Sequence, residues 1–207
     1  MPQQTPQAPR SSADPLAEEQ ARRASLYGLL AALLRDVPDD RVLDYTRQLE
    51  ADDPKDKGEL AVALGTLALA ARHSSLASVR EEYHRLFIGL GRGELVPFGS
   101  WYQTGFLMER PLALLRADLR QLGFERAEDV HEPEDHIAAL CEVMSLLIQD
   151  GTEVQVQRQF FDSHIGNWAG AFFADLAQAD SAVLYRSVAR LGIVFLSLEA
   201  TYLSLLD

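Results

Sequence analysis

Apolar residues recur along this chain at intervals of three and four from end to end, and no stretch sustains the alternation of a half-buried strand. Leu26, Leu29, Leu30, Leu33 and Leu34 mark one such stripe, and Ile137, Leu140, Cys141, Met144, Leu147 and Ile148 mark another. A chain patterned in this way buries its apolar surface by packing helix stripes against one another. The expected fold class is therefore all-α, a single-domain multi-helix bundle. With 207 residues, 47% of them hydrophobic, there is material for one core and too little for two independent ones.

Punctuation residues place the helices. Pro15 behind Asp14 predicts a first helix that stops before "DVPDD". A shorter helix is expected from Asp40 to about Glu50, followed by the charged loop "ADDPKDKG". The segment from Glu59 to about His73 is rich in alanine and leucine almost all round, which predicts a place near the middle of the bundle. Ser74 or Ser75 caps a fourth helix with the stripe Val79, Tyr83, Leu86 and Phe87, ending in the irregular loop "GLGRGELVPFGS". A helix from Ser100 is expected to kink or restart at Pro111 and to end at Gly123. Pro133 then takes a first helical position, with Glu134 and Asp135 in the first turn, where the macrodipole favours negative charge. Asp150-Gly151 ends that helix. Two long segments follow, Thr152 to about Ala177, with room for a break near Gly166, and Ser181 to Leu206.

The formal net charge of −12 removes nucleic acid from the expected partners, because phosphate contacts need clustered Lys and Arg. Such a surface suits a basic protein partner, or simply keeps a soluble protein dispersed. The single cysteine, Cys141, cannot close an internal disulfide and lies on an apolar helix face, so it reads as a buried, inert thiol. Residues 1–13, "MPQQTPQAPRSSA", have neither the basic start nor the apolar stretch of a signal peptide, and are expected to be a disordered tail ahead of a helical domain at 14–207. Arg22-Arg23 before an apolar run imitates a twin-arginine export signal, but that run follows Asp14, Glu18 and Glu19, lacks a cleavage site and has the spacing of a core helix. No segment reaches the ~18 uninterrupted apolar residues of a membrane span; even "LGIVFLSLEATYLSLL" is broken by Glu199. A cytoplasmic location without membrane insertion is expected.

Two segments concentrate residues of the kind that do chemistry. The glycines of "GLGRGELVPFGS" invite a phosphate-cradle reading, but no strand precedes them and neither a Lys-Ser/Thr pair nor dinucleotide spacing is present. They read as a turn between helices. In "VHEPEDHIAALCEVMSLLI", Val130 to Ile148, His131 and His136 are five apart with Pro133 between them, which is no metal-ligand spacing. Asp135 and His136, as neighbours on a helix, diverge by about 100° and make a poor acid–base pair, and no nucleophile motif accompanies them. Neither a metal, another cofactor nor an enzymatic activity is expected. The residues by themselves leave open a structural reading, a first-turn acid plus a capping histidine.

Taken together, "EEYHRLFIGLGRGELVPFGSWY" and the later "HEPEDHIAALCEVMSLL" resemble the TorD/DmsD family of redox-enzyme maturation chaperones. The resemblance has two halves. A Tyr-x-x-Leu-Phe ends one helix ahead of a Pro-aromatic-x-Ser loop, and Glu-Pro-x-Asp-His opens a later helix. It implies an all-helical chaperone that binds the twin-arginine signal peptide of a molybdopterin-dependent oxidoreductase catalytic subunit and delays export until cofactor insertion and folding are complete. By motif position the implied peptide groove involves Tyr83, Leu86, Phe87, Pro97, Phe98, Ser100, Asp135 and His136, with Glu132 and Pro133 as structural parts of the motif. In the groove so implied, Asp135 faces an arginine guanidinium and Tyr83, Phe87 and Phe98 cover the apolar part of the leader. The resemblance also implies a monomer or a domain-swapped dimer. An alternative reading is a helical adaptor that binds a folded basic partner and makes no signal-peptide contact.

Overall fold

A computed structural model describes residues 14–49, 58–89, 92–125 and 132–205. The predicted tail at 1–13, most of the loop "ADDPKDKG", and His131 lie outside the described residues.

Helix α1 (Pro15–Arg35) starts as the sequence predicts, with the Asp14 carboxylate accepting from the Leu16 N–H at 3.1 Å and Pro15 in the first turn. Its leucine stripe faces α7 (Ile137–Gln149), and these two make the most extensive helix pairing in the molecule. A second layer is built on α10 (Leu184–Ser204), which packs against α9 (Ala169–Gln178) and α3 (Glu59–Arg72). The α9–α10 approach is close enough that a Cβ on Gly192 would stand 2.5 Å from the Phe173 ring. Short α2 (Asp40–Arg47) rests on α3, and α8 (Val154–His164) touches α7, α10 and α6 (Arg110–Gln121). Among the described residues there is no β-strand, only one isolated antiparallel bridge, Phe98 with His136.

The two interruptions that the sequence allows, at Pro111 and near Gly166, are present, and two other placements differ, each for a local reason. The helix expected from Ser100 is two: α5 (Gly99–Thr104) stops at Gly105, whose φ of +81° turns the chain left-handed, and α6 restarts with Pro111 in its first turn. Thr152 to Ala177 breaks into α8 and α9 at the turn around Gly166. The third helix is not central. Ala63, Leu67, Ala68 and Ala71 are buried, but Val62 and Leu69 face solvent, because alanine makes a helix apolar all round without giving it enough side chain to bury on every face. Most consequential is α7, which starts at Ile137 rather than at Pro133; Glu134 and Asp135 form a turn ahead of it.

The ion pair between Arg23 and Glu199 spans the core, with both side chains almost fully buried. Two guanidinium–carboxylate hydrogen bonds of 2.7 and 2.9 Å join them, Arg23 also donates to Gln157, and its Cζ lies 4.3 Å from the Tyr202 ring centre. By length and composition α10 could cross a membrane, but half of its apolar window is buried in this core, where Glu199 is paired. The second arginine of the export-signal imitation is thus a core residue.

Candidate functional site

The two halves of the motif meet. On one side, the loop ahead of α5 runs extended through Pro97 and Phe98; on the other, the turn at Glu134-Asp135 feeds α7. Each backbone completes the other: the Ile137 N–H donates to the Pro97 carbonyl and the Gly99 N–H to the Asp135 carbonyl, both at 2.9 Å. The Asp135 side chain then closes the junction, its Oδ2 accepting from the Ser100 N–H at 2.7 Å and the Ser100 hydroxyl at 2.5 Å. A carboxylate at the first turn of α5 is well placed against the helix dipole. Its other oxygen, Oδ1, is buried without a hydrogen-bond partner.

His136 is the N-cap of α7. Its Nδ1 accepts from the Ala138 N–H at 3.1 Å, so Nδ1 is unprotonated and the ring proton sits on Nε2. The ring lies edge-on to Phe98, 5.0 Å between centres. Burial, with a contribution from the nearby Arg35 guanidinium, lowers its pKa to about 4. It is therefore a neutral capping residue at pH 7, as the structural reading of the sequence allowed.

The first half of the motif anchors the C-terminus of α1. That helix ends without a left-handed glycine, so its last carbonyls need outside donors. The Tyr83 hydroxyl reaches the Leu34 carbonyl at 3.3 Å and the Tyr185 hydroxyl reaches Leu33 at 2.7 Å. Tyr83, Phe87 and Tyr185 form one ring cluster, with centres 4.9, 5.4 and 6.0 Å apart. Helix α4 (Leu76–Tyr83), opened by a Ser75–Ser78 capping box, widens into a π turn, His84–Ile88, so that Leu86 points into the core and Phe87 into the ring cluster. Gly93 folds back on this turn, where an added Cβ would lie 2.5 Å from the Leu86 carbonyl oxygen. Glu82 finishes the arrangement, its carboxylate accepting from the N–H groups of Val183, Leu184 and Tyr185 at the start of α10.

The predicted residues form two packed clusters rather than an open groove: Pro97, Phe98 and Ser100 meet Asp135 and His136, while Tyr83 and Phe87 pack with Tyr185 at the end of α1. Tyr83, Leu86, Pro97, Ser100, Asp135 and His136 are buried, while Phe87 and Phe98 are half-buried. The direct role expected of Asp135 needs correction: at 3% exposure and held by Ser100, it does not present its carboxylate to a guanidinium from solvent. The physical reason is the displaced start of α7, which turns Asp135 inward instead of leaving it on a first helical turn. Glu132 is exposed and Pro133 half-buried. Although the residue as a whole is exposed, partial desolvation of its carboxyl pushes Glu132 up, with Arg35 opposing the shift and Asp36 adding to it. Glu132 and Asp36 also raise the Tyr83 hydroxyl, after burial, so the end of α1 and both motif halves share one electrostatic neighbourhood. Tyr185, Glu82 and Asp36 belong to this site and had no motif signal in the sequence. Among the described residues no group of three or more His, Cys, Asp or Glu could hold a metal ion.

A family model described as nitrate reductase delta subunit matches residues 53–174. The chaperone protein TorD of a classical Vibrio cholerae strain is 26% identical over 139 residues, covering 62% of this chain and 63% of that relative. TorD of Shewanella piezotolerans is 22% identical over 199 residues, covering 88% of this chain and 92% of the relative. In fold, the chain is similar to the crystal structure of a candidate redox enzyme maturation protein from Archaeoglobus fulgidus, with a TM-score of 0.56 and 19% identity over 84% of this chain and 93% of that one. A family-model match over more than half of the chain settles its membership: the chain belongs to the nitrate reductase delta subunit family.

Proposed function

We propose that this protein is a non-catalytic, cytoplasmic chaperone for a molybdopterin-dependent oxidoreductase subunit, and that it holds the subunit's twin-arginine signal peptide until cofactor insertion and folding are complete. The observation that carries this reading is the convergence of the two motif halves, Tyr83 to Ser100 and Glu132 to Ile137, on one hydrogen-bonded junction in a chain of this family. Phe87 and Phe98 offer ring surface at its rim, and Tyr83, Leu86, Pro97, Ser100, Asp135 and His136 fix where those rings stand. An acidic chain with partly exposed aromatics is complementary to a leader that pairs arginines with an apolar segment. If about 500 Å² of apolar surface is buried at ~25 cal/mol/Å², the gross gain of roughly 12 kcal/mol is largely offset by association costs, which leaves micromolar or weaker binding. Weak binding suits a client that must be released.

Titrating a labelled twin-arginine peptide, its twin-lysine form and a shuffled control tests the reading. Saturable binding of the first that weakens with salt and exceeds the other two is expected. Equal binding of all three, or none, overturns signal-peptide recognition.

A further inference from the structure

A hollow beside the motif junction lies between the C-terminal half of α1, the start of α2 and the outer face of α7, with a volume of about 590 Å³. That is within the ~300–1,000 Å³ of pockets that take a drug-sized ligand, and it accommodates a short run of peptide. Its walls combine two chemistries. Ala32, Val37, Val42 and Leu146 supply apolar surface, with Ala32 and Leu146 exposed. Asp36 and Asp39 supply carboxylates. Each carboxylate already spends one oxygen on the local backbone, Asp36 accepting from the Val37 N–H at 2.6 Å and Asp39 from the Val42 N–H at 2.9 Å. Among the described residues their second oxygens have no hydrogen-bond partner and neither carboxylate is ion-paired, whereas the groove's third acid, Glu142, is taken by Arg35. Two oriented, uncompensated carboxylates above an apolar floor match a cationic, apolar segment, because charge-assisted bonds to guanidinium favour fixed carboxylates. The groove also continues the junction: Asp36 sits at the end of α1 that Tyr83 anchors and lies close enough to Tyr83 and Glu132 to perturb both.

We infer that this groove, rather than Asp135, receives the arginines of the partner's leader, with Asp36 and Asp39 binding guanidinium and Val37, Val42 and Leu146 covering the apolar residues that follow. The inference rests on the signal-peptide reading above and adds to it the place and the residues. Asp135 becomes a positioning residue that sets the junction at the groove's mouth.

The test is the Asp36→Asn/Asp39→Asn chain, because asparagine keeps both backbone-accepting oxygens and removes only the charge. Far-UV circular dichroism and the thermal midpoint are expected to stay near wild type. Anisotropy titration with a twin-arginine peptide is expected to give at least a tenfold weaker Kd and a shallower salt dependence. Wild-type binding that the double variant leaves unchanged overturns the groove and leaves the signal-peptide reading standing. Failure of the wild-type chain to bind the peptide overturns both. Sedimentation run alongside covers the remaining occupant: if the variant alters self-association and not peptide affinity, the groove is an interface between copies and the inference is wrong.

Discussion

Asp135 holds one of its oxygens against two donors on Ser100 and buries the other without a partner, so its substitutions separate shape from charge. Asp135→Ala leaves the Ser100 N–H and hydroxyl unsatisfied in a buried site, which costs about 1.5–3 kcal/mol, whereas Asp135→Asn keeps the acceptor and loses less. Urea unfolding of the two variants against wild type measures the difference; equal destabilisation would contradict the bonding described here. Burial also decides the chemistry of Cys141, whose thiol is pushed up to about 12, well outside the range of a reactive thiolate. His136 shows how far a single residue can be read locally. Its capping role follows from standing before an apolar helical run, but its neutrality follows from burial and from Arg35, a hundred residues away in sequence.

At the scale of elements, the π turn His84–Ile88 is the feature that makes Tyr-x-x-Leu-Phe more than a helical stripe. The wider turn moves Phe87 beside Tyr83 and Tyr185, and the loop behind it returns through Gly93 to bond Leu86, the Leu95 N–H donating to the Leu86 carbonyl at 2.9 Å. Gly93→Ala sets a methyl against backbone that cannot swing away, and is expected to cost roughly 1–3 kcal/mol. Its thermal midpoint falls accordingly, and the quenching of tyrosine fluorescence in the ring cluster changes with it. An unaltered midpoint would mean that the loop does not rest on the turn. The motif stripe at a helix end is legible in the sequence and the π geometry is not, because a five-residue widening leaves the spacing of apolar residues nearly unchanged.

For the whole molecule, pH exposes the junction. The pKa of His136 is about 4 in the folded chain against an ordinary 6.5. Above 6.5 the ring is neutral in both states and contributes nothing to the pH dependence. As pH falls from 6.5 towards 4 the unfolded chain takes up a proton that the folded chain refuses, so stability is lost across that window, by roughly 3 kcal/mol at its acid end. His136→Asn retains a capping acceptor and cannot titrate. Its unfolding free energy is expected to fall less steeply between pH 6.5 and 4 than that of wild type, and parallel curves would refute the assignment.

The all-α class, the start of α1 behind Asp14 and Pro15, the cap at Ser75 and the end of α6 near Gly123 were all legible in the sequence, because each depends on residues within a turn or two of one another. So was the pairing of the two motif halves as parts of one family pattern. What only the tertiary structure decided were the contacts between residues far apart in the chain. Arg23, which looked like half of an export signal, and Glu199, which looked like a flaw in an apolar run, are one buried ion pair separated by 176 positions. The backbone at Asp135 to Ile137 is drawn into hydrogen bonds with Pro97 and Gly99, and that tie outweighs the helix-starting preference of Pro133. Local propensity is worth tenths of a kcal/mol to about one, while satisfying a buried carboxylate and its donors is worth more. The inward turn of Asp135, and with it the place where a partner can meet exposed charge, was therefore set by the packed molecule.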